Sequence, residues 1–229
     1  MREQEIAVII PAFNEQESIA LVVRDVPETV KHIVVVDNNS TDKTGDYAEK
    51  EGAVVLKESR KGYGWACLKG IDYLRDKDVD IVVFMDGDYS DYPEELSMLI
   101  SNMQKEDLDL VIGSRVLHAE KGALTPQQIF GNKLATFLIR LFYGKRFTDL
   151  GPFRAIKLQH LISLNMQDKT YGWTIEMQIK AIKNGLKCGE IPVRYRKRIG
   201  YSKVSGTVKG TIFAGIKIIF TILKLRFTK

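Results

Sequence analysis

Asp86 and Asp88 stand two residues apart, with Gly87 between them, just after the apolar run Ile81 to Phe84. Hard divalent cations such as Mg2+ or Mn2+ are held by one or two carboxylates together with substrate phosphates, so this pair reads as a metal site, against the blander reading of a solvated Asp-Gly turn. Two more polar clusters follow apolar runs. Pro11-Ala12-Phe13-Asn14-Glu15 comes after Ile6 to Ile10; it reads either as a helix start capped by Asn14, with Glu15 complementing the dipole, or as an anion-binding turn. Asp37, leading Asn38-Asn39-Ser40-Thr41-Asp42, comes after Ile33 to Val36. A strand-end acid there accepts hydrogen bonds from a base or ribose, while Asn38 and Asn39 read as turn residues. Arg60-Lys61-Gly62-Tyr63-Gly64 is a basic, glycine-bearing loop suited to lie beside phosphate, although Cys67 stands where a dinucleotide fingerprint needs its third glycine. His32, His118 and His160 are scattered and read as core or surface residues.

These clusters need elements to hold them. Ile6 to Ile10, Ile33 to Val36, Ala53 to Leu56, Ile81 to Met85 and Leu110 to Ile112 are short runs rich in β-branched residues, most of them separated by helical patterns. That alternation predicts a parallel sheet covered on both faces, with ligands at the carboxyl ends of its strands. Ser40 or Thr41 is expected to cap the second helix with Asp42 in its first turn, and Pro93-Glu94-Glu95 to open the fourth. Thr125 and Pro126 start a long helix; a strand over Phe153 to Lys157, a helix near Ile175 to Lys183 and a strand near Glu190 to Tyr195 follow.

The 229 residues suit one compact domain over 1–204 followed by a basic amphipathic helix over 205–229. A 45% hydrophobic and 28% charged composition excludes disordered and low-complexity classes. Two cysteines, Cys67 and Cys188, form neither a disulfide framework nor a zinc motif. The net charge of +5 is unevenly spread: residues 1–190 hold 24 basic and 29 acidic side chains, whereas residues 191–229 hold ten basic and no acidic ones. That tail should seek anions, whether ligand phosphates, an acidic membrane surface or nucleic acid. From Val208 to Phe227 apolar residues recur at helical spacing, with Lys209, Lys217 and Lys224 near one another on the wheel. The pattern suits a helix in a membrane interface or one packed on the domain. No run is long and apolar enough to span a bilayer and no secretory signal is visible, so the expected location is cytoplasmic, peripheral on the inner face of the membrane.

Taken together, Pro11 to Glu15, Val36 to Asp42, Asp86-Gly87-Asp88, Gly113-Ser114-Arg115, Thr148 to Ala155 and Arg198-Ile199-Gly200-Tyr201-Ser202-Lys203 resemble family 2 glycosyltransferases of the GT-A fold, and within them the dolichyl-phosphate mannose synthase group. The resemblance implies an α/β fold with a mostly parallel, Rossmann-like sheet. It implies that Pro11, Ala12, Glu15 and Asp37 line a nucleoside pocket, that Asp86 and Asp88 form the DxD pair with Asp88 the main ligand of Mg2+ or Mn2+, that Arg115 and Arg154 face an acceptor phosphate or the donor diphosphate, and that Arg198, Ser202 and Lys203 close over the diphosphate. One departure is that Ser90 and Asp91 stand where mannose synthases often carry Gln and His.

Breaking a sugar–diphosphate bond develops negative charge on the leaving nucleotide, which a divalent cation with nearby Arg and Lys stabilises. An acceptor phosphate is already ionised; an acceptor hydroxyl would need a carboxylate base, for which Asp149 is the first candidate, with Glu176 and Asp91 behind it. Trp173 would pack on a sugar ring or belong to the core. The leading expectation is an inverting hexosyltransferase moving sugar from a UDP- or GDP-linked donor to an acceptor such as polyprenyl phosphate. The alternatives are a nucleotidyltransferase, against which the loop after the first run speaks, and a non-catalytic nucleotide-sugar or nucleic-acid-binding module. Nucleic acid is the less expected partner.

Overall fold

Alternate residues of a strand face opposite sides of its sheet, and a strand buried on both sides must be apolar throughout. The first strand, β1 (Ile6–Ala12), is buried at all seven positions. In the computed structural model, which describes residues 4–201 and 208–227, Ala7 and Ile9 face one core layer and Val8 and Ile10 the other. The remaining strands are β2 (Val30–Asp37), β3 (Val54–Lys57), β4 (Ile81–Phe84), β5 (Leu110–Ala119), β6 (Arg154–Lys157) and β7 (Cys188–Tyr195). Among the described residues they form one sheet in the order β3-β2-β1-β4-β6-β5-β7.

The helices are α1 (Ile19–Arg24), α2 (Thr44–Lys50), α3 (Tyr63–Leu74), α4 (Leu96–Lys105), α5 (Pro126–Tyr143), α6 (Leu158–Ser163), α7 (Trp173–Lys183) and α8 (Val208–Phe227). One core layer joins α3, α5 and α7 to the sheet, the other α1 and α4. On α3, a Cβ at Gly70 would lie 2.7 Å from Ile9 Cγ2, so glycine permits the close approach of that helix to β1.

Two features of the fold matter for function. The sheet is mostly parallel, as expected, but β6 runs antiparallel to both β4 and β5, with Arg154 opposite Phe84 and Ile112. An antiparallel strand begins where its parallel neighbours end, so the segment before β6, residues 148–153, enters at the rim carrying the loops after β1, β2 and β4. Strand β5 also runs seven residues past Ile112, placing Gly113-Ser114-Arg115 at the same rim. Helix boundaries differ too. Neither Ser40 nor Thr41 caps α2, which starts at Thr44 after Lys43 without a side-chain cap. The Asp42 carboxylate instead accepts from Thr44 N at 3.0 Å. Helix α5 starts as expected, with a reciprocal Thr125–Gln128 capping box and Pro126 in its first turn.

Helix α8 packs against α5 and α7 through its inward residues, among them Thr221 and Ile222. Its other side bears exposed Phe213, Ile216, Phe220, Leu223 and Phe227, and the adjoining α5 exposes Phe130, Phe137 and Leu141. A groove of about 480 Å3 between the two is lined by Phe130, Leu134, Ile218 and Ile219. No described helix is long and apolar enough to cross a membrane.

Candidate active site

The loop after β1 is fixed to the loop after β2 by short polar side chains. Asn14, at φ 53°, accepts from Thr41 N through Oδ1 at 2.8 Å and donates its own N–H to Ser40 Oγ at 2.9 Å. Glu15 N donates to Thr44 Oγ1 at 2.8 Å. Asn14 therefore ties two loops together rather than capping a helix. Asp37, at the tip of β2, accepts from Ser40 N at 2.8 Å. It shapes that turn next to Asn38, which lines the cleft. Asn38 donates to the Glu58 and Arg60 carbonyls, at 3.1 and 2.7 Å, and accepts from Gly62 N at 2.8 Å. Both amide protons and the amide oxygen go into holding the basic loop, which the turn reading of this residue missed. The signal was available, since a buried Asn beside a strand end must find several partners.

Together these loops enclose a cleft of about 370 Å3. Pro11, Ala12 and Glu15 form one wall, Lys61, Gly62 and Tyr63 the second, and Asp86, Gly87 and Asp88 the floor; Tyr171 and Arg198 complete it. The basic loop packs on residues 168–169 so tightly that a Cβ on Gly62, at φ +145°, would lie 2.2 Å from the Lys169 carbonyl oxygen.

Asp88 is buried, accepts from Ser90 N at 3.0 Å, and lies 3.1 Å from Arg198 Nη1. The other arm of Arg198, Nη2, donates to Glu15 at 2.9 Å. One guanidinium thus joins carboxylates from the loops after β1 and β4. Asp86 keeps part of its surface open to the cleft but is otherwise enclosed by protein. Burial, then the charge of Asp88, pushes its carboxyl up to about 7. Asp91 is buried; burial and then the Asp86 and Asp88 charges raise it well above the usual carboxylate range. Its Oδ2 accepts from Asp86 N at 3.2 Å, and its buried Oδ1 has no hydrogen-bond partner. Asp86 and Asp88 on the floor, with buried Asp91 behind them, gather acidic groups whose charge a divalent cation would offset. Among the described residues, no three His, Cys, Asp or Glu side chains form a complete metal site. Asp86 and Asp88 would therefore share the ion with substrate oxygens.

Arg115 and Asp149, 34 positions apart, form a nearly dry pair: Nε and Nη2 of the arginine lie 2.7 and 2.8 Å from the two carboxylate oxygens, and Arg115 N donates to the same group at 2.9 Å. Burial alone would raise the Asp149 carboxyl, but the charge and hydrogen bonds of Arg115 outweigh it and hold the group below its ordinary range. A carboxylate so bound orients its arginine and is a poor proton acceptor, which corrects its reading as a base. Glu176 is likewise engaged, by Gln167 N, Asp168 N and Lys180 Nζ at 2.9, 2.7 and 2.8 Å. Arg154 does not face a ligand. It is fully buried and donates to the Leu150, Gly151 and Thr174 carbonyls, tying the 150–151 turn to α7. Burial lowers it to about 10. Trp173 belongs to the core, edge-on to Phe84 with ring centroids 6.1 Å apart. Ser202 and Lys203 lie outside the described residues.

Residues 7–163 match the sequence profile of Glycosyl transferase family 2. The chain belongs to that family. It is 32% identical to the polyprenol monophosphomannose synthase of Mycolicibacterium smegmatis, over 89% of this chain and 82% of the relative, and 32% identical to the undecaprenyl-phosphate mannosyltransferase of Micrococcus luteus, over 88% of each. The glucosyl-3-phosphoglycerate synthase of Mycobacterium tuberculosis, solved with Mn2+, UDP and glucosyl-3-phosphoglycerate, superposes with a TM-score of 0.79 over 97% of this chain and 80% of its own, at 22% identity. This glycosyltransferase thus has the GT-A fold expected from its motifs.

Proposed function

We propose that this family 2 glycosyltransferase is a metal-dependent, inverting hexosyltransferase that moves sugar from a UDP- or GDP-linked donor to a polyprenyl phosphate. The observation that carries the reading is the meeting, on one cleft floor, of Asp86 and Asp88 with the guanidinium of Arg198. Such a site offers carboxylates for a cation and a movable cation for phosphate, which is what a leaving nucleoside diphosphate requires. Bound there, Mg2+ or Mn2+ would neutralise charge developing on the diphosphate.

The chain's own residues do the rest. Pro11, Ala12 and Asn38 border the space for the nucleoside, and Lys61 stands at its phosphate side. Arg198 would exchange Glu15 and Asp88 for diphosphate oxygens, with Ser202 and Lys203 following it in the chain. Arg115, oriented by Asp149, is the remaining cation for an acceptor phosphate. That acceptor attacks as an ionised oxygen in a single displacement, so no side chain has to take a proton.

Three features support a lipid acceptor: the mannosyl-transferring relatives act, by their names, on polyprenol and undecaprenyl phosphate; α5 and α8 leave large apolar side chains bare; and neither helix carries an acidic residue. We place this face against an anionic membrane surface. Lys217 does not join it, because its ammonium turns inward to Asp168 at 2.9 Å. Arg194 is held by Glu94 and Glu95, Arg198 by Glu15 and Asp88, and Lys217 by Asp168, so at least three of the ten basic residues of the tail are paired internally, which counts against nucleic acid as partner.

The test is a panel of labelled UDP- and GDP-hexoses incubated with Mn2+ and a polyprenyl phosphate. Label should enter the lipid fraction with one donor, and Asp88→Ala should stop it. Absence of transfer with every donor defeats the reading.

A further inference from the structure

We infer that Arg196 is a positioning residue: it clamps the strand-end strap that carries Arg198 onto the loop that carries Asp88. Four observations meet at this side chain. Its guanidinium lies between two aromatic rings, 3.4 Å from the Tyr89 centroid and 4.1 Å from that of Tyr92. Its Nε donates to the Tyr89 carbonyl at 2.6 Å and its Nη2 to the Asp91 carbonyl at 3.1 Å. Its backbone N–H donates to the Ser90 carbonyl at 2.9 Å, and three residues on Ile199 N donates to the Asp88 carbonyl at 3.0 Å. Asp91 and Tyr195 form a bridge just ahead of it. Residues 196–199 thus run on from the end of β7 as a short strap along residues 88–91, and Arg198 hangs over the cleft between Arg196 and Ile199.

Beyond β7 the strap is held by two backbone–backbone hydrogen bonds and a 3.3 Å bond from Lys197 N to Glu120, while the Arg198 pairs with Glu15 and Asp88 would be given up to a diphosphate; a segment so held beside solvent opens locally. Arg196 supplies what the backbone lacks. A planar cation stacked on two rings loses little by being fixed, and it caps two carbonyls of the very loop whose carboxylates face the cleft. Tyr89, at φ 62°, is itself anchored by its hydroxyl to Asp25, so the clamp stands on a fixed base. Lysine has neither the plane to fill the gap between the rings nor the fork to reach both carbonyls, and it should not substitute. The position of Arg198 over a nucleoside diphosphate then depends on Arg196, which touches no ligand itself. This role rests on the reading of the cleft as a diphosphate site.

The test combines amide hydrogen exchange with kinetics, using the full chain. In the wild type, the Arg196 and Ile199 amides should be protected; exchange at unprotected rates would overturn the clamp without any variant. In Arg196→Ala and Arg196→Lys, the Ile199 amide should exchange at least tenfold faster while β4 amides keep their protection, and Tyr92→Phe, which keeps the ring, should match the wild type. The KM for the nucleotide sugar should rise about tenfold with kcat changed less than threefold, and adding Arg198→Ala should raise it no further than Arg198→Ala alone. Unchanged Ile199 protection in both variants, or faster exchange with an unchanged KM, would overturn the inference. If the wild type transfers no sugar at all, the proposed function fails, and the exchange rates still decide the clamp.

Discussion

The floor of the cleft and the face formed by α5 and α8 stand at opposite extremes of this molecule. On the floor, acidic groups are buried or nearly so, and Asp91 Oδ1 and the adjoining Arg198 Nε are buried without a hydrogen-bond partner. On the helical face, large apolar side chains lie open, Phe130 at 70% and Phe227 at 85% exposure, and acidic residues are absent from both helices. The first arrangement is costly unless an incoming charge completes it. The second is costly unless something apolar covers it. Under the proposed function each region is completed by a different partner, an ion with a diphosphate in one case and a lipid surface in the other, and changes in one should leave the other largely intact.

The comparison breaks most sharply at Asp88. Asp88→Ala should lower metal-dependent sugar transfer by about 10^3-fold, the scale of losing one preorganised electrostatic group, while vesicle binding in a flotation assay stays at the wild-type level. Next in size is Arg115→Ala, which strands the buried Asp149 carboxylate. It should destabilise the fold by about 3–5 kcal/mol in urea titration, and Arg115→Ala combined with Asp149→Asn should recover part of that loss. On the helical face, Phe220→Ser should weaken association with anionic vesicles roughly tenfold, the worth of one buried aromatic side chain, without altering nucleotide binding. The smallest effect concerns pH. Asp86 keeps its proton up to about 7 in the folded protein and releases it near the ordinary aspartate value of 3.8 when unfolded. The folded state therefore binds more protons between about pH 4 and 7, and the Asp86 contribution to stability falls as pH rises through that window. The metal-free thermal midpoint of Asp86→Asn should decline less over this range than that of the wild type.

The two regions also differed in how far they could be read from the sequence. The acidic loops announced themselves, because a ligand-binding rim must place particular residue types directly after strands. Their floor, Asp86 to Asp88, and the wall from Pro11 to Glu15 were legible for that reason. Pairings across the chain were not. Nothing in the spacing of Arg115 and Asp149 shows that they meet, and only the antiparallel entry of β6 brings residue 149 to the rim. Arg154 was misread because a motif shows that an arginine is needed without showing whether it bonds a ligand or three carbonyls. The helical wheel revealed the amphipathic character of α8 but grouped Lys217 with the outward lysines, since a wheel contains no neighbour such as Asp168. It also could not foresee that α5 extends the bare apolar face.

The most direct test of the central claim is calorimetric titration of UDP and GDP into the wild type and Asp88→Asn, each with Mn2+ and with EDTA. One nucleotide should bind the wild type in Mn2+ and weaken by more than tenfold in EDTA, and the variant should show only the weak binding in both. Equal affinity with and without the metal, or an Asp88→Asn protein that binds as the wild type does, would contradict the account.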